Sequence, residues 1–106
     1  MVEISFVKGP YGFEIMKLVG HAEYNPGNDV VCAGISALSQ ALVGTLQNMS
    51  GINYRNKIVE SGNILIEINP FADKSVQKIV DAVFLTCLIG MLQIEKVYPG
   101  YLKVTV

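Results

Sequence analysis

The sequence predicts an α+β fold, one small domain over residues 1–106 with the order β-β-α-β-β-α-β. Its mainly antiparallel sheet is expected to carry two helices packed on one face. Three observations lead there. Two stretches space their apolar residues at helical period, the first at Val31, Ile35, Leu38, Leu42 and Leu46. The second runs through Val76, Ile79, Val80, Val83, Cys87, Gly90, Met91 and Ile94. The remaining segments are short alternating runs, several of them paired across turn residues, which makes the pairs hairpins and the pairing antiparallel. Helices laid across one face would then bury the apolar side of the sheet.

Taken in order, residues 2–7 place Val2, Ile4 and Phe6 on one side and Glu3 and Ser5 on the other, the pattern of a half-buried strand. Lys8-Gly9-Pro10-Tyr11-Gly12 turns the chain into a second strand over 13–19, which ends at Gly20-His21. Gly20 either simply closes that strand or lets backbone approach closely beside the histidine. A polar loop with Pro26 and Gly27 reverses the chain, and Asp29 caps a first helix over about 30–48. Gly34, Ala37, Ala41 and Gly44 give that helix a small-residue face for close packing, and Gly51 stops it.

Residues 52–59 and 63–68 read as strands joined at Glu60-Ser61-Gly62. Asn69-Pro70 breaks the second of them, and Asp73 or Ser75 caps a second helix reaching about Glu95. Its middle, Ala82 to Leu92, is apolar nearly all round, so it is either sandwiched in the core or lies at a subunit contact. Tyr98-Pro99-Gly100 turns into a last strand with Leu102, Val104 and Val106 alternating.

Composition narrows the function classes. At 51% hydrophobic and 16% charged the chain is globular, and its apolar share is high for 106 residues, as if a second copy covered part of it. Eight basic and nine acidic residues leave a net charge of −1, which offers nucleic acid or anionic lipid no global field. The Ala82–Leu92 run is too short to cross a bilayer, and the first residues lack the basic start and apolar stretch of a secretion signal. A cytoplasmic protein without membrane or direct nucleic-acid contacts is expected. One histidine and two distant cysteines give no zinc spacing, so neither metal nor cofactor is expected, and both cysteines read as free thiols.

The chemistry concentrates between Gly20 and Leu38. Cys32 falls in the first turn of the helix, where free N–H groups and the positive end of the dipole favour a thiolate. His21, delivered to the same place, would take the thiol proton and return it to a leaving group. Asp29 is either the helix cap, competing for the same N–H groups, or the group that orients the His21 ring. Ser36, one turn beyond Cys32, either reaches this region or bonds back to its own helix, the commoner habit of a mid-helix serine. Against the catalytic reading stands a simpler one, in which Cys32 is a small buried hydrophobe and His21 a solvated strand end. Cys87, in its apolar stretch, reads as inert core.

Gly20-His21-Ala22 followed by Asp29-Val30-Val31-Cys32-Ala33-Gly34-Ile35-Ser36-Ala37 resembles the signature of the bacterial ribosomal-processing cysteine protease family, Prp. The resemblance implies that His21 is the base and Cys32 the nucleophile of a dyad. The first-turn N–H groups of Cys32 and Ala33 would then hold the oxyanion. It also implies a substrate: the short N-terminal extension of a large-subunit ribosomal protein, cut after an aromatic pair and before a basic mature N-terminus. Glu23 and Asp29 are expected to favour that positive charge, and the loop over 22–28 to gate the site. A homodimer is expected from the apolar second helix, and the resemblance points the same way. The alternatives are a non-enzymatic, ribosome-associated binding module in which His21 and Cys32 are structural, and, less favoured, a thiol redox protein, for which no resolving cysteine lies near Cys32.

Overall fold

The computed structural model describes residues 1–106 as five strands and two helices in the expected order. They are β1 (Val2–Lys8), β2 (Phe13–Val19), α1 (Val30–Gln47), β3 (Tyr54–Glu60), β4 (Asn63–Ile68), α2 (Lys74–Val97) and β5 (Leu102–Thr105). The sheet runs β3-β4-β2-β1-β5. Three of its four pairings are antiparallel, and the fourth, β1 with β5, is parallel. α2 makes that parallel return possible: 24 residues at about 1.5 Å each carry the chain back along the sheet, so β5 enters beside β1 in the same direction.

Alternation decides which side of the sheet is covered. Val2, Ile4 and Phe6 of β1, Met16 and Leu18 of β2, and Ile64, Ile66 and Ile68 of β4 are all buried beneath the helices. From α1 come Val31, Ile35, Leu42, Val43 and Leu46, the expected face with Leu38 only half-buried and Val43 added. The buried face of α2 is Gln77, Val80, Phe84, Cys87, Leu88 and Met91. The expected phase of this helix is corrected there: Ile79 is 56% exposed, while Phe84 is fully buried and stacks on Phe13 at 5.6 Å. A helix apolar nearly all round leaves its orientation to its polar members. Gln77 is drawn inward because its amide accepts from the Phe71 N–H and donates to Asp81, which in turn accepts from the Phe13 N–H.

The helices approach each other closely at two glycines. Leu38 of α1 packs over Gly90 of α2, and Ile94 of α2 over Gly34 of α1. Of the other small residues expected to form a contact face, Ala37 and Ala41 are exposed and Gly44 has open space beside it. By length and composition both helices reach what crossing a membrane requires, since α2 extends well beyond Ala82–Leu92. In this fold one face of each helix, with Leu42 and Leu46 of α1 and Phe84 and Met91 of α2, belongs to the core.

Candidate active site

β2 and α1 bring Gly20-His21 and Cys32 together. Both side chains line one cavity of about 290 Å³, whose floor is Leu18, Ile35 and Ile64. Cys32 is half-buried against the core and His21 is exposed at the rim. Gly20 adopts φ 100°, and a Cβ there would meet the Met1 carbonyl oxygen at 2.9 Å, so the strand end closes against the N-terminus only as glycine.

Asp29 is the helix cap. One carboxylate oxygen accepts from the Cys32 N–H at 2.9 Å and the other from the Tyr24 N–H at 2.8 Å. The Cys32 N–H above all holds its carboxyl below the usual carboxylate range; burial opposes it, and the Tyr24, Asn25 and Val31 N–H groups add smaller contributions in the same direction as Cys32. Both oxygens accept from backbone, and neither bonds to His21. The Ala33 N–H is engaged as well, donating to the Asp29 carbonyl at 3.0 Å. The two N–H groups expected to hold an oxyanion thus already have acceptors, because a capped helix uses its first-turn donors on its own cap.

Ser36 lines the cavity and does not bond back to its helix; Ser39, one turn of residues away and buried, is the serine that does, donating to the Ile35 carbonyl at 2.8 Å. Gln40 also lines the cavity. It was legible, since Cys32, Ser36 and Gln40 recur every fourth residue on one helical face. The opposite wall, Val59 to Gly62 at the β3–β4 turn, carried no such signal and is placed by strand pairing alone. It brings Glu60, the carboxylate of the cavity lining.

The loop over 22–28 is anchored at two points. Ala22 is buried in the core, and the Tyr24 ring meets Tyr98 and Tyr101 edge-on at 5.2 and 5.0 Å. Glu23 lies 3.9 Å from the N-terminal amine and is well exposed.

The second thiol has the opposite setting. Cys87 is 3% exposed, its Sγ lies 3.6 Å from the Leu38 carbonyl oxygen, and burial pushes its pKa up to about 12. Neither cysteine is in a disulfide.

An α+β domain whose cleft is lined by a thiol from the start of a helix and an imidazole from a strand end holds the residue types that a cysteine hydrolase needs. The comparisons make the class specific: residues 1–103 match the family model of cysteine protease Prp, and the chain belongs to that family. The fold is similar to that of an essential ribosomal processing protease Prp from S. aureus in complex with a covalently linked product peptide. That match has a TM-score of 0.81 and 20% identity, over 99% of this chain and 98% of the other. A second structure of that S. aureus protease, in complex with a substrate peptide, gives 0.76 and 17% over the whole of both chains. SMU.848 from Streptococcus mutans gives 0.74 and 26%, over 99% of this chain and 92% of the other. Comparison with curated proteins gives no match.

Proposed function

We propose that this chain is a cysteine endopeptidase that removes the short N-terminal extension of a large-subunit ribosomal protein. The observation that carries the reading is the single cavity lined by both His21 and Cys32, in a chain of the cysteine protease Prp family. The S. aureus structures with substrate and covalently linked product peptides support it as relatives of the same fold. With such a substrate the reaction would run in the cytoplasm.

In this mechanism the Cys32 sulfur attacks the scissile carbonyl carbon and His21 takes the thiol proton. The C–N bond breaks as His21 passes that proton to the leaving amine, and the acyl group stays on sulfur as a thioester. Water then attacks the thioester, His21 takes a proton from it and returns one to the departing sulfur, and the acid is released. With the Cys32 and Ala33 N–H groups already engaged, the Ser36 hydroxyl and the Gln40 amide are the side-chain donors that line the cavity for the oxyanion. The apolar floor suits aromatic side chains before the cut. Glu60, the carboxylate of the cavity lining, supplies negative charge for a basic mature N-terminus.

Thiol labelling tests the site separately from turnover. An electrophile carrying the peptide sequence before the cut should add once per folded chain, at Cys32. Cys87 should remain unlabelled under the same conditions, since burial closes it off and pushes its thiol pKa up to about 12. The same shift has a stability consequence. A raised thiol pKa means that the unfolded chain loses this proton from about pH 9 while the fold retains it, so stability should fall as pH rises from there towards 12. Equal labelling of both cysteines in folded protein would contradict the assignment.

The same reading includes a homodimer. α2 leaves Ile79, Leu85, Ile89 and Leu92 exposed on its outer side, an apolar stripe of the kind that a second subunit covers. Sedimentation at micromolar concentration should show a dimer that Leu85→Glu/Ile89→Glu dissociates; a parent protein that is monomeric throughout would overturn this part.

A further inference from the structure

The imidazole of His21 sits on a residue that has no side chain. A Cβ built on Gly62 would lie 2.5 Å from Nε2 and 2.8 Å from Cε1 of His21. Real Cβ atoms do not approach so closely, so any other residue at 62 would have to move the ring. Gly62 also holds the backbone that carries the ring, for its carbonyl oxygen accepts from the Gly20 N–H at 2.9 Å. Its own φ is 72°, in the left-handed region that glycine enters without cost. Three demands therefore meet at one position at the β3–β4 turn: the turn conformation, a hydrogen bond to the residue before His21, and a bare face for the imidazole.

We infer that Gly62 is a positioning residue for His21, setting the depth at which the imidazole rests in the cavity that Cys32 shares. The inference builds on the protease reading. An imidazole ring at the end of its side chain yields to an intruding methyl by rotating rather than by unfolding the domain. The cost should then fall on proton transfer, which is sensitive to misplacement on the scale of 1 Å. Gly51 is the natural control: its φ is 81°, so alanine there meets the same backbone strain, but open space surrounds it.

The test compares Gly62→Ala and Gly51→Ala in parent and His21→Ala backgrounds, with circular dichroism to verify folding. Gly62→Ala should lower kcat on the order of 10²-fold with KM little changed, and Gly51→Ala should leave kcat near parent. In the His21→Ala background Gly62→Ala should cost nothing further, since the ring it displaces is gone. A second readout does not depend on turnover. The chain has one histidine, so its Cε1–H proton gives a single NMR signal, which Gly62→Ala should move and Gly51→Ala should not. If Gly62→Ala fails to fold, Gly62→Asn keeps the intruding Cβ while entering positive φ more readily, and the same results are expected of it. Parental kcat with an unmoved signal, or an undiminished loss in the His21→Ala background, would overturn the inference. A parent protein without any cleavage but with the signal shifted by Gly62→Ala would overturn the protease reading and leave the placement of the ring standing.

Discussion

Cys32→Ala is expected to remove peptide cleavage, with kcat/KM falling on the order of 10⁴-fold or more, because no other thiol lines the cavity. His21→Ala should cost about 10² to 10⁴-fold, the usual contribution of a positioned acid–base group. Combining the two should cost little more than Cys32→Ala alone, since a base without its nucleophile has nothing to do. The fold should survive both substitutions. His21 is exposed and Cys32 half-buried, so neither opens a large cavity in the core. Following the release of the N-terminal fragment by chromatography, with circular dichroism on the same samples, checks both statements. A Cys32→Ala protein that cleaves at the parental rate would show that the chemistry lies elsewhere.

Phe84→Ala should have the largest effect on stability. The ring is fully buried and lies parallel to Phe13 at 5.6 Å, and Phe13 in turn meets Phe6 edge-on at 6.4 Å. Its removal takes away apolar burial, leaves a cavity beneath α2 and breaks the aromatic stack, at a cost of about 3–5 kcal/mol. Domains of this size are stable by only about 5–15 kcal/mol, so the urea midpoint should drop steeply. A decrease below about 1 kcal/mol would mean that the α2 packing described above is wrong. The exposed Ile79 makes the contrast, for Ile79→Ala should change stability little.

Much of this architecture was legible because local pattern and tertiary role agree. Alternation identified β1 and β4, the turn residues Lys8 to Gly12 placed β2, and the Asp29 cap with its following apolar period located α1 within a residue. What sequence could not supply was long-range. The partner of β5 depends on where α2 delivers the chain, and no residue of Leu102–Thr105 encodes that it will run parallel to β1. The phase of α2 failed for a related reason: a stretch apolar on most sides has no unique inner face until Gln77, a residue that reads as outward, is recruited by the Phe71 N–H and Asp81.

The candidate site divides in the same way. His21 and Cys32 flank one short loop, so their meeting could be read from turn and cap chemistry. Asp29 offered two roles by sequence, and the geometry of its two oxygens leaves the cap. Its capping bonds in turn occupy the Cys32 and Ala33 N–H groups, which shifts the search for oxyanion donors to Ser36 and Gln40. Gly62 was visible only as a turn glycine. That its missing side chain matters to His21 follows from the β2–β4 pairing, which sets Val19 opposite Asn63 and so brings the turn up to the strand end.

In the proposed mechanism Cys32 is acylated during turnover. Mass spectrometry of parent protein, mixed with the N-terminal peptide of the ribosomal protein and quenched in acid within one turnover, tests it most directly. The expected result is an added mass equal to the fragment before the cut, less one water relative to its free acid, mapped to the proteolytic fragment that contains Cys32 and absent from Cys32→Ala. Intact peptide recovered with no adduct on any residue, and bound equally by parent, Cys32→Ala and His21→Ala, would contradict the claim and identify the chain as a binding module.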